Sequence, residues 1–160
     1  AKAKGRVVNL ATGFLNSFPV DVADVAVRTK KFAGLNQYGQ AKQAAVMMTV
    51  EQSKRSNDGV TYVSLHPGII VGTRFGGGQP KWQQAIGGPF MRAVGLGCTL
   101  DEAVAKFHQA AFADVPSGSY LVKSHVTALP KQVNDEIVRA KVWTLIETLA
   151  SGASSATKAA

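Results

Sequence analysis

Residues 60–68 read VTYVSLHPG. Valine and tyrosine fill the run, and Pro67 and Gly68 close it, which predicts a short buried strand rather than a helix. A helix is predicted before it, from Asn36 as N-cap through YGQAKQAAVMMTVEQSKRS, with Ala41, Ala44, Ala45, Met48 and Val50 on its apolar faces. The turn residues SNDG at 56–59 end that helix. Further upstream, GRVVNLA at 5–11 is a valine-rich apolar run stopped by the glycine of ATG. It reads as a strand of the kind buried in a parallel sheet. A long connection over 13–35 joins this strand to the helix, and connections of that length are often functional.

Downstream of residue 68 the chain is glycine-rich and irregular over 73–98, with one amphipathic segment carrying Trp82, Ile86, Phe90, Met91 and Val94. A helix follows in CTLDEAVAKFHQAAFAD, opened by a capping box of Thr99 and Glu102. SGSYLVK at 117–123 predicts a third strand. KQVNDEIVRAKVWTLIETLA predicts one last helix, with Val138, Val142, Leu145, Ile146 and Leu149 at helical spacing and Trp143 in the core. Residues 151–160, SGASSATKAA, are low in complexity and form an expected tail, disordered in isolation. Strands alternating with helices predict an α/β fold with parallel strands and helical crossovers. Three strands make a thin sheet, and the apolar first strand has the look of an internal strand without its neighbour. The chain reads as part of a sheet.

Composition narrows the function. The 160 residues suffice for one domain with a core, at 46% apolar and 18% charged. No apolar run is long enough to cross a bilayer and no signal peptide is visible, so the expectation is a soluble intracellular protein, cytoplasmic or organellar. The net charge of +8 comes from basic residues scattered along the chain without interleaved aromatics. That disfavours a nucleic-acid surface and suits an anionic cofactor, lipid or acidic protein equally. One cysteine, Cys98, excludes an internal disulfide, and His66, His108 and His125 lack metal-ligand spacing. Surface roles are expected for His108 and His125, and a space-filling one for His66.

Tyr38 and Lys42 stand four residues apart, on one face of the first predicted helix. A phenol titrates near 10 and is a poor acid–base catalyst at neutral pH unless its pKa moves. An ammonium nearby favours the phenolate, and such a tyrosine passes a proton to or from a substrate oxygen. The spacing alone is common in helices that do nothing of the kind.

Its surroundings add weight. With RVVNLATG before the pair, and His66-Pro67-Gly68 with Thr73 after it, the chain resembles the C-terminal half of a short-chain dehydrogenase/reductase. TLDEAV at 99–104 and NDEIVRAKVWTLIETL at 134–149 extend the resemblance, which is strongest to retinol-dehydrogenase- and protochlorophyllide-reductase-like members. It implies the C-terminal part of a Rossmann-type doubly wound parallel sheet over residues 1–150, about three strands with flanking helices, the N-terminal half being absent from this chain. It also implies an NAD(P)-dependent oxidoreductase interconverting a carbonyl and an alcohol. Tyr38 would be the general acid/base, Lys42 would tune it and hold the nicotinamide ribose, and Pro67, Gly68, Ile70 and Thr73 would wrap the nicotinamide end of NAD or NADP. Thr12 falls where the family carries a substrate-orienting serine. Ile69 replaces the cysteine of protochlorophyllide reductases, which argues against that substrate.

The family's glycine-rich strand-to-helix turn belongs to the N-terminal half and has no counterpart here. Gly76-Gly77-Gly78 and GLGCT at 95–99 are not preceded by a strand. The chain begins AKAKGRVVNL without methionine, which favours a partial chain. A fragment, one half of a split enzyme, and a non-catalytic dehydrogenase-like subunit of a larger assembly are the alternatives. Each implies a partner, either a second protein chain or the N-terminal half; a small hydrophobic carbonyl or alcohol is the expected substrate.

Overall fold

The computed structural model describes residues 5–23, 34–71 and 88–157, with side chains through Gly152. Strands β1 (Arg6–Leu10), β2 (Thr61–His66) and β5 (Tyr120–Val122) run parallel, with β2 in the centre. Strand β6 (His125–Thr127) turns back antiparallel on β5, giving a four-stranded mixed sheet in the order β1-β2-β5-β6. A parallel two-residue pair, β3 (Ile69–Ile70) and β4 (Gly97–Cys98), stands apart from it.

The pleat assigns each side chain a face. Val8, Val63, Leu65 and Leu121 meet Phe107, Ala110 and Val115 on the side of α3 (Leu100–Phe112). Burying an aliphatic side chain such as Leu65 or Leu121 stabilises the fold by about 1.5–3 kcal/mol. On the other side, Asn9 donates to Thr49 Oγ1 at 2.8 Å and Ser64 Oγ donates to the same oxygen at 3.0 Å. Those bonds seat helix α1 (Gly34–Arg55) on the sheet. Because Thr49 lies eleven residues, close to three turns, beyond Tyr38, they also fix the face that Tyr38 presents. Val46, Met47, Tyr120, Val133 and Val142 form the core on this side, beneath α4 (Lys131–Asn134) and α5 (Glu136–Thr157).

The predicted alternation holds for all three parallel strands, and the Thr99–Glu102 capping box is present with both bonds. Several expectations change. Helix α1 already includes Gly34, so Asn36 lies inside its first turn rather than capping it. The last predicted helix is two. Asp135 leaves helical geometry and its carboxylate accepts from Ile137 N (2.9 Å) and Val138 N (3.1 Å), starting α5 afresh. Helix α5 then continues to Thr157 across part of the expected tail, a stretch rich in alanine and free of proline. Trp143 is half-buried, with the Arg55 guanidinium 4.9 Å from its ring centroid. His125 belongs to β6, although it is exposed as expected.

Strand β1 pairs with β2 alone among the described residues, and Val7 and Leu10 remain exposed along it. Helix α3 leaves Leu100, Val104 and Phe112 exposed, and beyond residue 87 a helical turn at 88–93 (α2) exposes Phe90. No helix among the described residues is long and apolar enough to cross a membrane. Thr73, the triplet Gly76–Gly78, Trp82 and Ile86 lie outside the described residues.

Candidate active site

The carboxyl ends of β1 and β2 open onto one cavity of about 240 Å³, where ligands gather in open α/β sheets. Leu10, Ala11, Thr12 and Phe14 line it from β1 and its following turn. Tyr38 and Lys42 enter from α1, and His66 through Ile70 come from the end of β2. Of the seven residues predicted for the site, six therefore share this cavity: Thr12, Tyr38, Lys42, Pro67, Gly68 and Ile70. The seventh, Thr73, is not described.

Local sequence explains the placement. Gly39 lets α1 approach the 15–18 turn, because a Cβ there would lie 2.2 Å from the Phe18 ring. The buried amide of Gln43 donates to Leu15 O at 2.8 Å and accepts from Val20 N at 2.8 Å. Gln132 accepts from Val20 N at 2.7 Å and donates to its carbonyl at 2.8 Å. These bonds pin the loop after β1 across the start of α1. Gly68 has φ +106°, a left-handed conformation that glycine adopts freely, so the backbone can turn from β2 into β3. Lys106 Nζ holds Pro67 O at 2.9 Å from the α3 side.

The electrostatics differ from the expectation in one respect. Burial pushes the Tyr38 phenol above its ordinary pKa, and a hydrogen bond with the Thr12 side chain only partly offsets this. Lys42 does not reverse it: its ammonium lies 5.9 Å from the Tyr38 ring centroid and donates to Leu10 O at 3.0 Å. The net shift is upward, so burial favours the neutral phenol over the phenolate.

His66, expected only to fill space, is a polar wall of the cavity. Burial, and then the charges of Lys123 and Lys106, lower its pKa to about 4, so the imidazole is neutral near pH 7. The signal for it was its position, at a strand's carboxyl end directly before Pro-Gly. Cys98 is buried with its thiol on Pro67 O at 3.4 Å, and His108 is exposed and tilted against Phe112. No metal-holding group of His, Cys, Asp or Glu occurs among the described residues.

Two hydroxyls, an ammonium and a Pro-Gly-Ile-Ile segment share the cavity, groups able to hydrogen-bond a hydroxyl-bearing ligand beside an apolar surface. The described residues contain no glycine-rich turn between a strand and a helix of the kind that cradles a phosphate.

No protein-family model matches the chain. Over 141 residues it is 26% identical to a protein of Streptomyces sp. (strain C5) whose name assigns it provisionally as a daunorubicin C-13 ketoreductase. That match covers 88% of this chain and 47% of the relative, so the chain spans about half the relative's length. In three dimensions it is similar to the crystal structure of an uncharacterised protein from Mycobacterium paratuberculosis, with a TM-score of 0.67 at 18% identity. This covers 91% of the chain and 50% of that protein, and it speaks to the fold alone. Neither protein carries a retinol-dehydrogenase or protochlorophyllide-reductase name. The ketoreductase name suggests an oxidoreductase.

Proposed function

We propose that this chain is the substrate-side half of a short-chain dehydrogenase/reductase that reduces a ketone with NAD(P)H. The observation that carries the reading is one cavity, at the carboxyl ends of two parallel strands, shared by Tyr38, Lys42 and Thr12. The ketoreductase name of the Streptomyces relative agrees with it.

On this reading Tyr38, kept protonated by burial, donates its hydroxyl proton to the substrate carbonyl oxygen. Thr12 holds a hydroxyl beside that phenol and orients the same oxygen. As the proton leaves, negative charge grows on Tyr38, and the Lys42 ammonium stabilises it more than it does the neutral phenol. When bound, the reduced nicotinamide supplies the hydride that the carbonyl carbon accepts. Lys42, Pro67, Gly68 and Ile70 would hold its ribose and ring; Thr73, proposed to join them, lies outside the described residues. Phe14, Ile69 and Ile70 give the cavity an apolar wall, which suits a hydrophobic ketone. The diphosphate and adenosine would be held by an N-terminal half, supplied in the same polypeptide or by a second chain.

A second reading, a non-catalytic subunit of an assembly, draws on the exposed apolar residues Leu100, Val104 and Phe112 and on the edge of β1 that has no neighbour among the described residues. One experiment separates the two. The full-length protein is mixed with NADPH or NADH and a panel of hydrophobic ketones, and nicotinamide absorbance is followed. Ketone-dependent oxidation is the expected result. Neither nucleotide binding nor turnover would leave the subunit reading.

A further inference from the structure

Thr12 is useful to Tyr38 only if the turn that carries it stays in place. Besides Ala11 N on Leu65 O at 2.8 Å and Phe14 N on Thr12 Oγ1 at 3.4 Å, contacts from two flanking side chains bear on that turn. Tyr120 OH donates to Thr12 O at 2.8 Å from β5. On the other side lies His66, across Gly13: a Cβ added to Gly13 would stand 2.7 Å from His66 Nε2 and 2.8 Å from Cδ2. Only a residue without a side chain lets the ring edge come this close. The His66 backbone is held in turn, since β2 pairs it with Val122 and its carbonyl accepts from Lys123 N at 2.6 Å.

We propose that His66 is a positioning residue of this site, its imidazole wedged against Gly13 so that the following β1 turn keeps the Thr12 hydroxyl on Tyr38. The proposal rests on the oxidoreductase reading for its importance to turnover, but not for its geometry. The charges bearing on the ring come from Lys106 on α3 and Lys123 in the β5–β6 turn, while Lys42 of α1 lines the same cavity. Burial and the Lys123 and Lys106 cations disfavour the charged imidazolium, so the neutral ring works by its shape rather than by gaining a proton.

The test reads Tyr38 itself. Its phenol is titrated in the ligand-free protein by carbon-13 NMR of the ring Cζ, with Tyr62→Phe simplifying the spectrum. In His66→Ala the turn relaxes, Thr12 loses Tyr38, and the titration moves to higher pH. His66→Gln places an amide nitrogen where the imidazole Nε2 stood, and leaves the titration near wild type. Gly13→Ala attacks the same contact from the other side and raises the titration too. With His66→Ala added, the double variant is less perturbed than the sum of the two changes. An unmoved Tyr38 titration in His66→Ala or Gly13→Ala, or strictly additive effects, would overturn the proposal. If His66→Ala does not fold, Gly13→Ala read against His66→Gln decides it. In turnover, kcat of His66→Ala is expected to fall about tenfold with KM changed less than about twofold. A wild-type protein that reduces no ketone removes the oxidoreductase reading and leaves the Tyr38 titration to decide this one.

Discussion

Helix α1 carries two clusters of charged and polar groups, three turns apart, that are built in opposite ways. Near its C-terminus, Glu51 accepts from Arg139 Nε at 2.9 Å and from Arg55 Nε at 2.9 Å. Arg139 also donates to Val133 O at 2.8 Å and Glu136 at 3.2 Å, and only 2% of its side chain is exposed. Burial pushes Glu51 up, but the two guanidiniums outweigh it and its pKa lies below the ordinary carboxylate value. That cluster is closed and ties α1 to α5. Near the N-terminus, Lys42 has a backbone carbonyl for a partner, and Tyr38 is protonated beside a cavity. At one end ion pairs hold helices together; at the other, a phenol and an ammonium line a cavity.

Breaking the closed cluster should have the largest effect on stability. Glu51→Ala takes from the buried Arg139 guanidinium its buried carboxylate, leaving Val133 O and the exposed Glu136, and is expected to cost about 3 kcal/mol by denaturant unfolding. Replacing the pair together, as Glu51→Leu with Arg139→Met, should cost clearly less than that single change. At the open end, Gly39→Ala drives a Cβ into Phe18 and is expected to cost about 1–3 kcal/mol.

The pH dependence is assigned to the open end as well. His66 has a depressed folded-state pKa, so its contribution is present above the unfolded value of 6.5 and is lost as pH falls toward about 4. Wild-type stability should therefore decline across that window, and His66→Gln should flatten this part of the slope. Lys42→Met should be the mildest, about 1 kcal/mol or less. A loss matching that of Glu51→Ala would erase the distinction between the two ends.

Much of this was legible in the sequence, for identifiable reasons. Val63, Leu65 and Leu121 sit in short apolar runs bounded by Gly, Pro or Ser, so the parallel strands stood out. The Thr99–Glu102 box is a local signal and formed as expected. Tyr38 and Lys42 were findable because helical spacing places them together. Strands β3, β4 and β6 were not, being two or three residues long and held by long-range pairing rather than pattern. The break at Asp135 was hidden within a continuous helical periodicity. His66 against Gly13 joins positions 53 apart in sequence, and only the fold brings them together. The protonated state of Tyr38 depends on burial and on where Lys42 turns, which spacing does not reveal.

On the proposed function, the open end of α1 transfers a proton to a ketone. Its most direct test is kcat for NAD(P)H-dependent reduction of a hydrophobic ketone by the full-length protein and its Tyr38→Phe variant. A loss of about 10²–10⁴-fold in the variant, with little change in unfolding free energy, is expected. Undiminished turnover in Tyr38→Phe would contradict it.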